Sequence, residues 1–195
     1  MKKKSTKKAA RGFNSAADEI LAFLNTQSAQ ASDKHQSWLH DYAIIRLYRD
    51  FESLMLTALV AAINNDTSHL SQTAGVDLPK HLSQDVCYFL VLRGGYFDFR
   101  GRSGLIGDLK KMLPANHYLI DTVKKDTYKD ALDRLSALRN FAAHDSQQSK
   151  AAALKAVGLE RMSSAGAWLK KQDRFKNLVA KLKALATELE NAAPY

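Results

Sequence analysis

The chain has 195 residues, 46% of them hydrophobic, which is enough for one domain with a buried core. A single cysteine excludes an internal disulfide, and the longest apolar run, residues 54–63, falls short of the ~20 residues that cross a bilayer. We therefore expect a soluble protein of the cytoplasm rather than a secreted or membrane protein.

The basic residues are concentrated at the N-terminus. The net charge is +9, and residues 1–11 contain six lysines and arginines but no acidic residue. We interpret residues 1–12 as a basic flexible tail and residues 13–195 as a single helical domain. Two roles fit such a tail: it attracts RNA or another polyanion through counterion release, or it is a disordered arm that aids solubility.

The composition predicts an all-α fold. Only three prolines and nine glycines interrupt a sequence rich in Ala, Leu and Lys, and no strand-type alternation is sustained. Asn14 or Ser15 is the expected cap of a first helix that ends near residue 30. A much longer second helix is expected from residues 32–33 to residues 64–65, because apolar side chains recur there at three- and four-residue steps.

The middle of the chain has weaker helical signals. Residues 66–78 resemble a turn-rich connection, and Pro79 suits the first position of a helix that carries Val86 and Phe89. The segment GGYFDFRGRSG, residues 94–104, then breaks helical order with four glycines. Its aromatic and arginine side chains either stack on and clamp single-stranded bases or belong to an irregular loop that fills the core. The residues concerned are Tyr96, Phe97, Phe99, Arg100 and Arg102.

Four more helices are expected in the second half of the chain. They cover residues 105–113, 118–124, 127–145 and 167–190. The third of these carries a regular apolar stripe formed by Ala131, Leu135, Leu138 and Ala142. Since no internal repeat appears, we expect all of these helices to form one bundle.

The stretch LRNFAAHD, residues 138–145, places three hydrogen-bonding side chains near the end of an amphipathic helix. Asn140 and His144 are four residues apart and share a helix face, whereas Arg139 and His144 point about 140° apart on a regular helix. The arginine and the histidine can act together only if the helix end is distorted or if two copies of the motif meet. Ala142 and Ala143 permit the close approach of a second helix, although alanine is also the best ordinary helix former.

A carboxylate in the long helix points to a buried cation. Glu52 is surrounded on its helix face by apolar residues, and an unpaired buried carboxylate is costly. Arg139 is the first candidate partner, in which case Glu52 fixes the pose of the arginine. Arg49 is the local alternative, and it forms a polar stripe of the same helix with Arg46.

No metal or cofactor pattern accompanies these residues. The histidines outside the motif lack the spacing of a zinc signature, and the glycines do not match a phosphate-cradling loop. A histidine exchanges protons near neutral pH, and an arginine holds a phosphate and balances the charge of a transition state. Together they suffice for RNA cleavage by the 2′-hydroxyl. The plainer interpretation is a structural Arg139 paired with Glu52, and a surface His144 that favours the helix dipole.

LRNFAAHD resembles the Arg-x4-6-His signature of HEPN domains, in which a polar residue, often Asn, directly follows the arginine. The segment IIRLYRDFESLM, which contains Glu52, is similar to the first core helix of the HEPN branch found in small prokaryotic defence and toxin proteins. The similarity in layout extends from about residue 35 to residue 190 and includes neither the N-terminal tail nor the loop 94–104. It implies an α-helical bundle that dimerises through its motif helices and acts as a metal-independent endoribonuclease in toxin–antitoxin or antiphage systems. Some members of the family only bind nucleotides or partners.

The resemblance also implies roles for individual residues. His144 is the expected general base or acid, Arg139 stabilises the phosphorane-like transition state, and Asn140 positions His144 or a phosphate oxygen. The products are a 2′,3′-cyclic phosphate and a 5′-hydroxyl. Further contacts to the RNA backbone are expected from Arg100, Arg102, Lys170, Lys171 and Arg174.

The expected partners are RNA, a second copy of the chain and a cognate antitoxin, with no cofactor and no membrane. The main rival is a noncatalytic module of the same fold that binds RNA, a nucleotide or a partner protein. A third reading is an antitoxin-like structural partner.

Overall fold

The computed structural model describes residues 3–194, which form ten α-helices and no strand. The helices are α1 (Thr6–Ser28), α2 (Asp33–Asn65), α3 (Ser68–Ala74), α4 (Gln84–Leu92), α5 (Gly101–Lys110), α6 (Tyr118–Lys124), α7 (Asp126–His144), α8 (Gln147–Val157), α9 (Ala165–Leu169) and α10 (Arg174–Ala192). The all-α prediction is therefore confirmed. Within residues 3–194, no helix has both the length and the apolar character needed to cross a membrane.

The first helix begins earlier than the sequence predicted. Ser5 caps α1 by accepting a hydrogen bond from the Lys8 N–H at 3.3 Å, so the helix includes residues 6–12. Ala10 and Phe13 are buried at the spacing of a helix face that packs against α2. The predicted helix start at Asn14 or Ser15 is therefore wrong. Residues 6–12, which were predicted to belong to a flexible tail, are part of α1. Residues 1 and 2 of the predicted tail lie outside the described residues.

Helix α2 forms the centre of the fold and has the bounds that the sequence predicted. Ser32 caps it by accepting from the His35 N–H, and Asp66 leaves the helical conformation at its end. Its buried side chains include Ile44, Leu47 and Phe51. Helix α1 packs against α2 along its length, and α7 and α9 also contact it. This central position allows α2 to hold side chains that reach the end of α7.

Helices α6 and α7 also agree with the prediction. Helix α7 runs to His144 and ends where Asp145 adopts a left-handed backbone conformation with φ of 41°. Of its predicted apolar stripe, Leu135 and Leu138 are fully buried and Ala142 is half-buried. The motif residues therefore stand on a regular helix whose apolar stripe anchors it to the core.

Several connections are more helical than expected. The predicted turn-rich segment 66–78 contains α3, and α5 begins at Gly101 rather than at residue 105. The single helix expected over residues 167–190 is replaced by α9 and α10, and α8 was not predicted.

The segment around Pro79 differs most from the prediction. Helix α4 is capped by Ser83 and not started by Pro79, because the Ser83 hydroxyl accepts from the Val86 N–H. Val86 and Phe89, which the predicted helix also contained, are exposed. Cys87 is the residue of α4 that is buried, against Val60 and Ile63 of α2.

Candidate functional site

Arg139 is held at the junction of α7 and α2. Its guanidinium carbon lies 4.4 Å from the centroid of the Tyr48 ring, an attractive cation–π arrangement. Its Nη1 donates to the Asn140 Oδ1 at 2.8 Å, while its Nε is buried without a hydrogen-bond acceptor. The guanidinium is thus fixed in place but keeps unused hydrogen-bonding capacity.

Glu52 lies near this guanidinium without forming an ion pair with it. Within the described part of the chain, residues 3–194, no ion pair joins Glu52 to Arg139 or to Arg49. The Glu52 carboxylate instead accepts from the Phe99 N–H at 3.3 Å, and the Tyr48 hydroxyl lies beside it. The expected pairing is therefore replaced by the hydrogen bond from Phe99 and by a longer-range attraction to Arg139.

Burial raises the pKa of Glu52 above its ordinary value. The hydrogen bond from Phe99, the neighbouring Tyr48 hydroxyl and the charge of Arg139 act in the opposite direction and offset only part of this effect. Since no carboxylate of residues 3–194 forms an ion pair with Arg139, the guanidinium can attract an external anion.

Tyr48 is a residue of this site that the sequence reasoning did not assign. Its hydroxyl donates to the Phe99 carbonyl oxygen at 2.9 Å, and burial strongly raises the pKa of this phenol. The ring is buried and forms the surface on which Arg139 rests. Tyr48 could have been assigned to the site because it lies one turn before Glu52 on the same helix face. In the sequence, however, it was counted only as one of the apolar residues of that face.

His144 is the last residue of α7 and is exposed. Within residues 3–194, Asn140 does not hydrogen-bond to His144, and its side-chain oxygen accepts from Arg139. Because α7 is a regular helix as far as His144, Arg139 and His144 point about 140° apart. A distorted helix end is therefore not the means by which these two side chains meet.

The two supporting arginines of α2 are exposed. The Arg46 Nε lies 2.9 Å from the Asp50 Oδ2, one turn further along the helix. Arg49 lies on the same exposed side of α2. Both side chains are accessible to solvent, but neither forms an ion pair with Glu52 in residues 3–194.

Two of the predicted RNA-binding residues are engaged within the protein. Arg102 donates from its Nε to the Val123 carbonyl oxygen and from its Nη2 to the Asp126 carboxylate, each at 3.1 Å. The ammonium of Lys170, whose side chain is only 7% exposed, binds both the carbonyl and the carboxylate oxygen of Asp33 at 2.7 Å. These contacts help to fix the start of α5 and the end of α9, and a contact with RNA stays a prediction for Arg102 and Lys170.

The other three predicted contacts differ in accessibility. Arg100 is exposed, 3.9 Å from the Asp98 carboxylate, and Lys171 is also exposed. Arg174 stacks on the Trp168 ring at 4.7 Å and donates to the Trp168 carbonyl oxygen. A contact with RNA stays a prediction for all three.

The aromatic residues of segment 94–104 divide between core and surface. Phe99 is buried and packs on the rings of Tyr48 and Phe51, with centroids 5.7 and 5.2 Å apart. Phe97 is half-buried, whereas Tyr96 is 99% exposed. Phe99 therefore fills the core, as one of the two predicted alternatives required. Its backbone N–H donates to Glu52 and its carbonyl oxygen accepts from Tyr48, so these two hydrogen bonds join the segment to the site.

Comparisons with family models, with curated proteins and with solved structures find no match to this chain. Over residues 3–194, no three His, Cys, Asp or Glu side chains are grouped so that they could hold a metal ion.

Proposed function

We propose that this protein is a metal-independent endoribonuclease of the HEPN type, acting as a toxin or antiphage effector. The observation that carries the proposal is the state of Arg139: it is fixed on the Tyr48 ring, half-buried, and lacks a carboxylate partner in residues 3–194. An arginine that serves only the fold usually pairs its charge, whereas one that binds a phosphate must keep its charge free.

The proposed reaction needs two functional groups from the motif. His144 acts as general base at the 2′-hydroxyl or as general acid at the leaving 5′-oxygen. Arg139 stabilises the negative charge that develops on the phosphorane-like transition state, and Asn140 holds the guanidinium through its side-chain oxygen. The 2′-oxygen bonds to phosphorus as the 5′-oxygen leaves, so the products are a 2′,3′-cyclic phosphate and a 5′-hydroxyl.

The divergence of Arg139 and His144 on one helix makes a second protomer part of the proposal. In a symmetric dimer formed by two α7 helices, the arginine of one protomer faces the histidine of the other. The exposed end of α7, with Ala143 beside His144, leaves room for the close approach of a second helix. We further propose that a cognate antitoxin restrains the activity in the cell.

The test uses purified full-length protein, a mixed pool of RNAs and EDTA. We expect cleavage to persist with the chelator, to yield 2′,3′-cyclic phosphate ends, and to be lost in His144→Ala. His35→Ala, which removes an exposed histidine at the start of α2, is the matched control and should retain activity. Cleavage that disappears with EDTA, or that survives in His144→Ala, would contradict the proposal.

A noncatalytic module that binds RNA, a nucleotide or a partner protein is the second candidate. The side chains of Phe23, Trp38 and Tyr42 favour it. These exposed aromatic residues line an open groove where the end of α1 meets the start of α2, and such patches mark interaction sites. The same assay separates the two functions: the module predicts RNA or partner binding that is unchanged in His144→Ala, with no cleavage by the wild type.

A further inference from the structure

A basic groove of about 560 Å³ lies between the start of α1 and the second half of α2. We call it the α1–α2 groove. Its polar lining includes Lys3, Lys4, Ser5 and Lys8 on one side, Ser53 and Thr57 on the other, and Gln84 of α4. The one acidic residue among its lining residues, Asp50, is paired with Arg46 at 2.9 Å. The groove is therefore strongly positive.

The lysines of this groove belong to an ordered part of the fold. The Lys4 N–H donates to the Oδ1 of the fully buried Asn64 at 3.1 Å, and the Lys4 ammonium lies 5.5 Å from the centre of the Tyr88 ring. The hydroxyl of the buried Thr6 is 3.0 Å from that of Tyr118. Because the segment is anchored at both points, the part of the chain that carries the lysines keeps a defined position beside α2.

Small side chains leave the groove open. Ala9, Gly12 and Ala16 contribute to its α1 wall, and a Cβ atom added at Gly12 would meet no atom within 4 Å. The N-terminal end of α1 adds the positive end of the helix dipole, and the Ser53 and Thr57 hydroxyls offer hydrogen-bond donors. Three ammonium groups, hydroxyls and an open channel match a chain of phosphates better than a compact apolar ligand.

The groove is connected to the candidate site along α2. Ser53 follows Glu52 directly, and Arg49 lies one turn before Ser53 on the same exposed side. At 1.5 Å per residue, Thr57 and Arg49 are about 12 Å apart along the helix axis. An extended strand can thus contact the groove lysines and Arg49 on the way to Arg139.

We propose that the α1–α2 groove binds the phosphate backbone of single-stranded RNA and guides it toward Arg139; the choice of RNA over other polyanions rests on the proposed ribonuclease function. The basic N-terminal segment is then a fixed binding surface. Its contacts are electrostatic and independent of base sequence, since they address phosphates alone.

The first experiment measures binding of a short fluorescein-labelled single-stranded RNA by fluorescence anisotropy in EDTA, using the full-length His144→Ala protein to prevent cleavage. The triple variant Lys3→Ala, Lys4→Ala, Lys8→Ala is expected to raise Kd about tenfold at low salt and to reduce the slope of log Kd against log salt by about 2. The control removes three exposed lysines elsewhere, Lys110, Lys124 and Lys155, and should change Kd less than about twofold. Equal losses in the two triple variants would overturn the proposal.

The second experiment leaves every lysine in place. Gly12→Glu places a carboxylate in the open groove, and Gly12→Gln provides a neutral side chain of the same shape. We expect weaker RNA binding for the glutamate variant alone. Equal affinities for the two variants would overturn the proposal, as would groove-dependent binding to phosphatidylserine vesicles with unchanged RNA binding.

These measurements separate the groove from the proposed catalysis. RNA binding through the groove by a protein that never cleaves RNA would contradict only the proposed function. If the protein cleaves RNA but its affinity for RNA is unchanged by the Gly12 and lysine substitutions, only the proposed role of the groove would be contradicted.

Discussion

The guanidinium carbon of Arg139 lies 4.4 Å from the centroid of the Tyr48 ring, so a residue of α2 sets the position of the motif arginine on α7. Tyr48 in turn is fixed by the hydrogen bond from its hydroxyl to the Phe99 carbonyl oxygen. Segment 94–104, α2 and α7 therefore meet at a single side chain.

The two parts of Tyr48 have separable effects. Tyr48→Phe keeps the ring under Arg139 but removes a buried hydrogen bond, so we expect a loss of about 1 kcal/mol in unfolding free energy and nearly unchanged cleavage. Tyr48→Leu removes the ring and is expected to lower kcat about tenfold by releasing the guanidinium. Urea unfolding and single-turnover cleavage measure the two quantities. A larger kcat loss in Tyr48→Phe than in Tyr48→Leu would contradict this account.

Glu52 gives stability a specific pH dependence. Its pKa in the folded chain is raised above the ordinary value of 4.5. At pH values between 4.5 and this raised pKa, the folded chain therefore binds more protons than the unfolded chain. Glu52 therefore lowers stability as the pH rises through that window, and the effect persists at neutral pH. We expect the stability of Glu52→Gln relative to wild type to increase with pH from 4.5 upward.

Urea unfolding at several pH values from about 4 to 7 tests this expectation. Glu19→Gln, on the exposed side of α1, is the control for the loss of one negative charge. A relative stability of Glu52→Gln that falls as the pH rises would show that the folded state favours the charged carboxylate.

Gly166 is the tightest glycine of the fold. A Cβ atom there would overlap the Ser37 carbonyl oxygen and approach the Asp41 nitrogen to 2.8 Å, while the Gly166 N–H donates to the Asp41 carboxylate at 2.6 Å. Because backbone atoms of α2 form this contact, Gly166→Ala is expected to cost about 3 kcal/mol or more. Gly107→Ala on α5 meets no atom within 4 Å and should be neutral or slightly stabilising. Similar melting temperatures for both variants would refute the tight packing of α9 on α2.

The exposed end of α7 provides a test of dimerisation. Ala143→Arg adds a long charged side chain next to His144, where the second α7 is proposed to pack. We expect sedimentation velocity to show a shift from dimer to monomer and cleavage to fall in parallel. Ala184→Arg, an exposed alanine of α10, should change neither. A monomeric wild type with full activity would contradict the shared site.

Helices with strong caps and long apolar stripes were predictable from the sequence. For α2 and α7, Ser32 and the regular spacing of buried residues gave bounds within about two residues. The start of α1 was missed because the lysines around Ser5 suggested a charged arm, although Thr6, Ala10 and Phe13 form a buried stripe beneath them. Charge alone does not reveal whether a basic segment is anchored.

The state of individual basic residues could not be predicted, because their partners are distant in sequence. Lys170 pairs with Asp33 through a contact that joins α9 to α2 across 137 residues. Likewise, the Phe99 N–H that binds Glu52 comes from an irregular segment whose path no periodicity describes. The sequence predicted that Glu52 pairs with Arg139 or with Arg49, whereas the fold places Tyr48 beside both Glu52 and Arg139.

Complementation between two inactive variants tests the shared site most directly. In a dimer that combines Arg139→Ala with His144→Ala, one of the two composite sites keeps both its arginine and its histidine. If protomers mix freely, half of the dimers are mixed, so we expect a 1:1 mixture to recover about a quarter of wild-type cleavage, whereas each variant alone is inactive. A mixture that stays inactive, although the protomers have been shown to exchange, would contradict a site built from Arg139 of one protomer and His144 of the other.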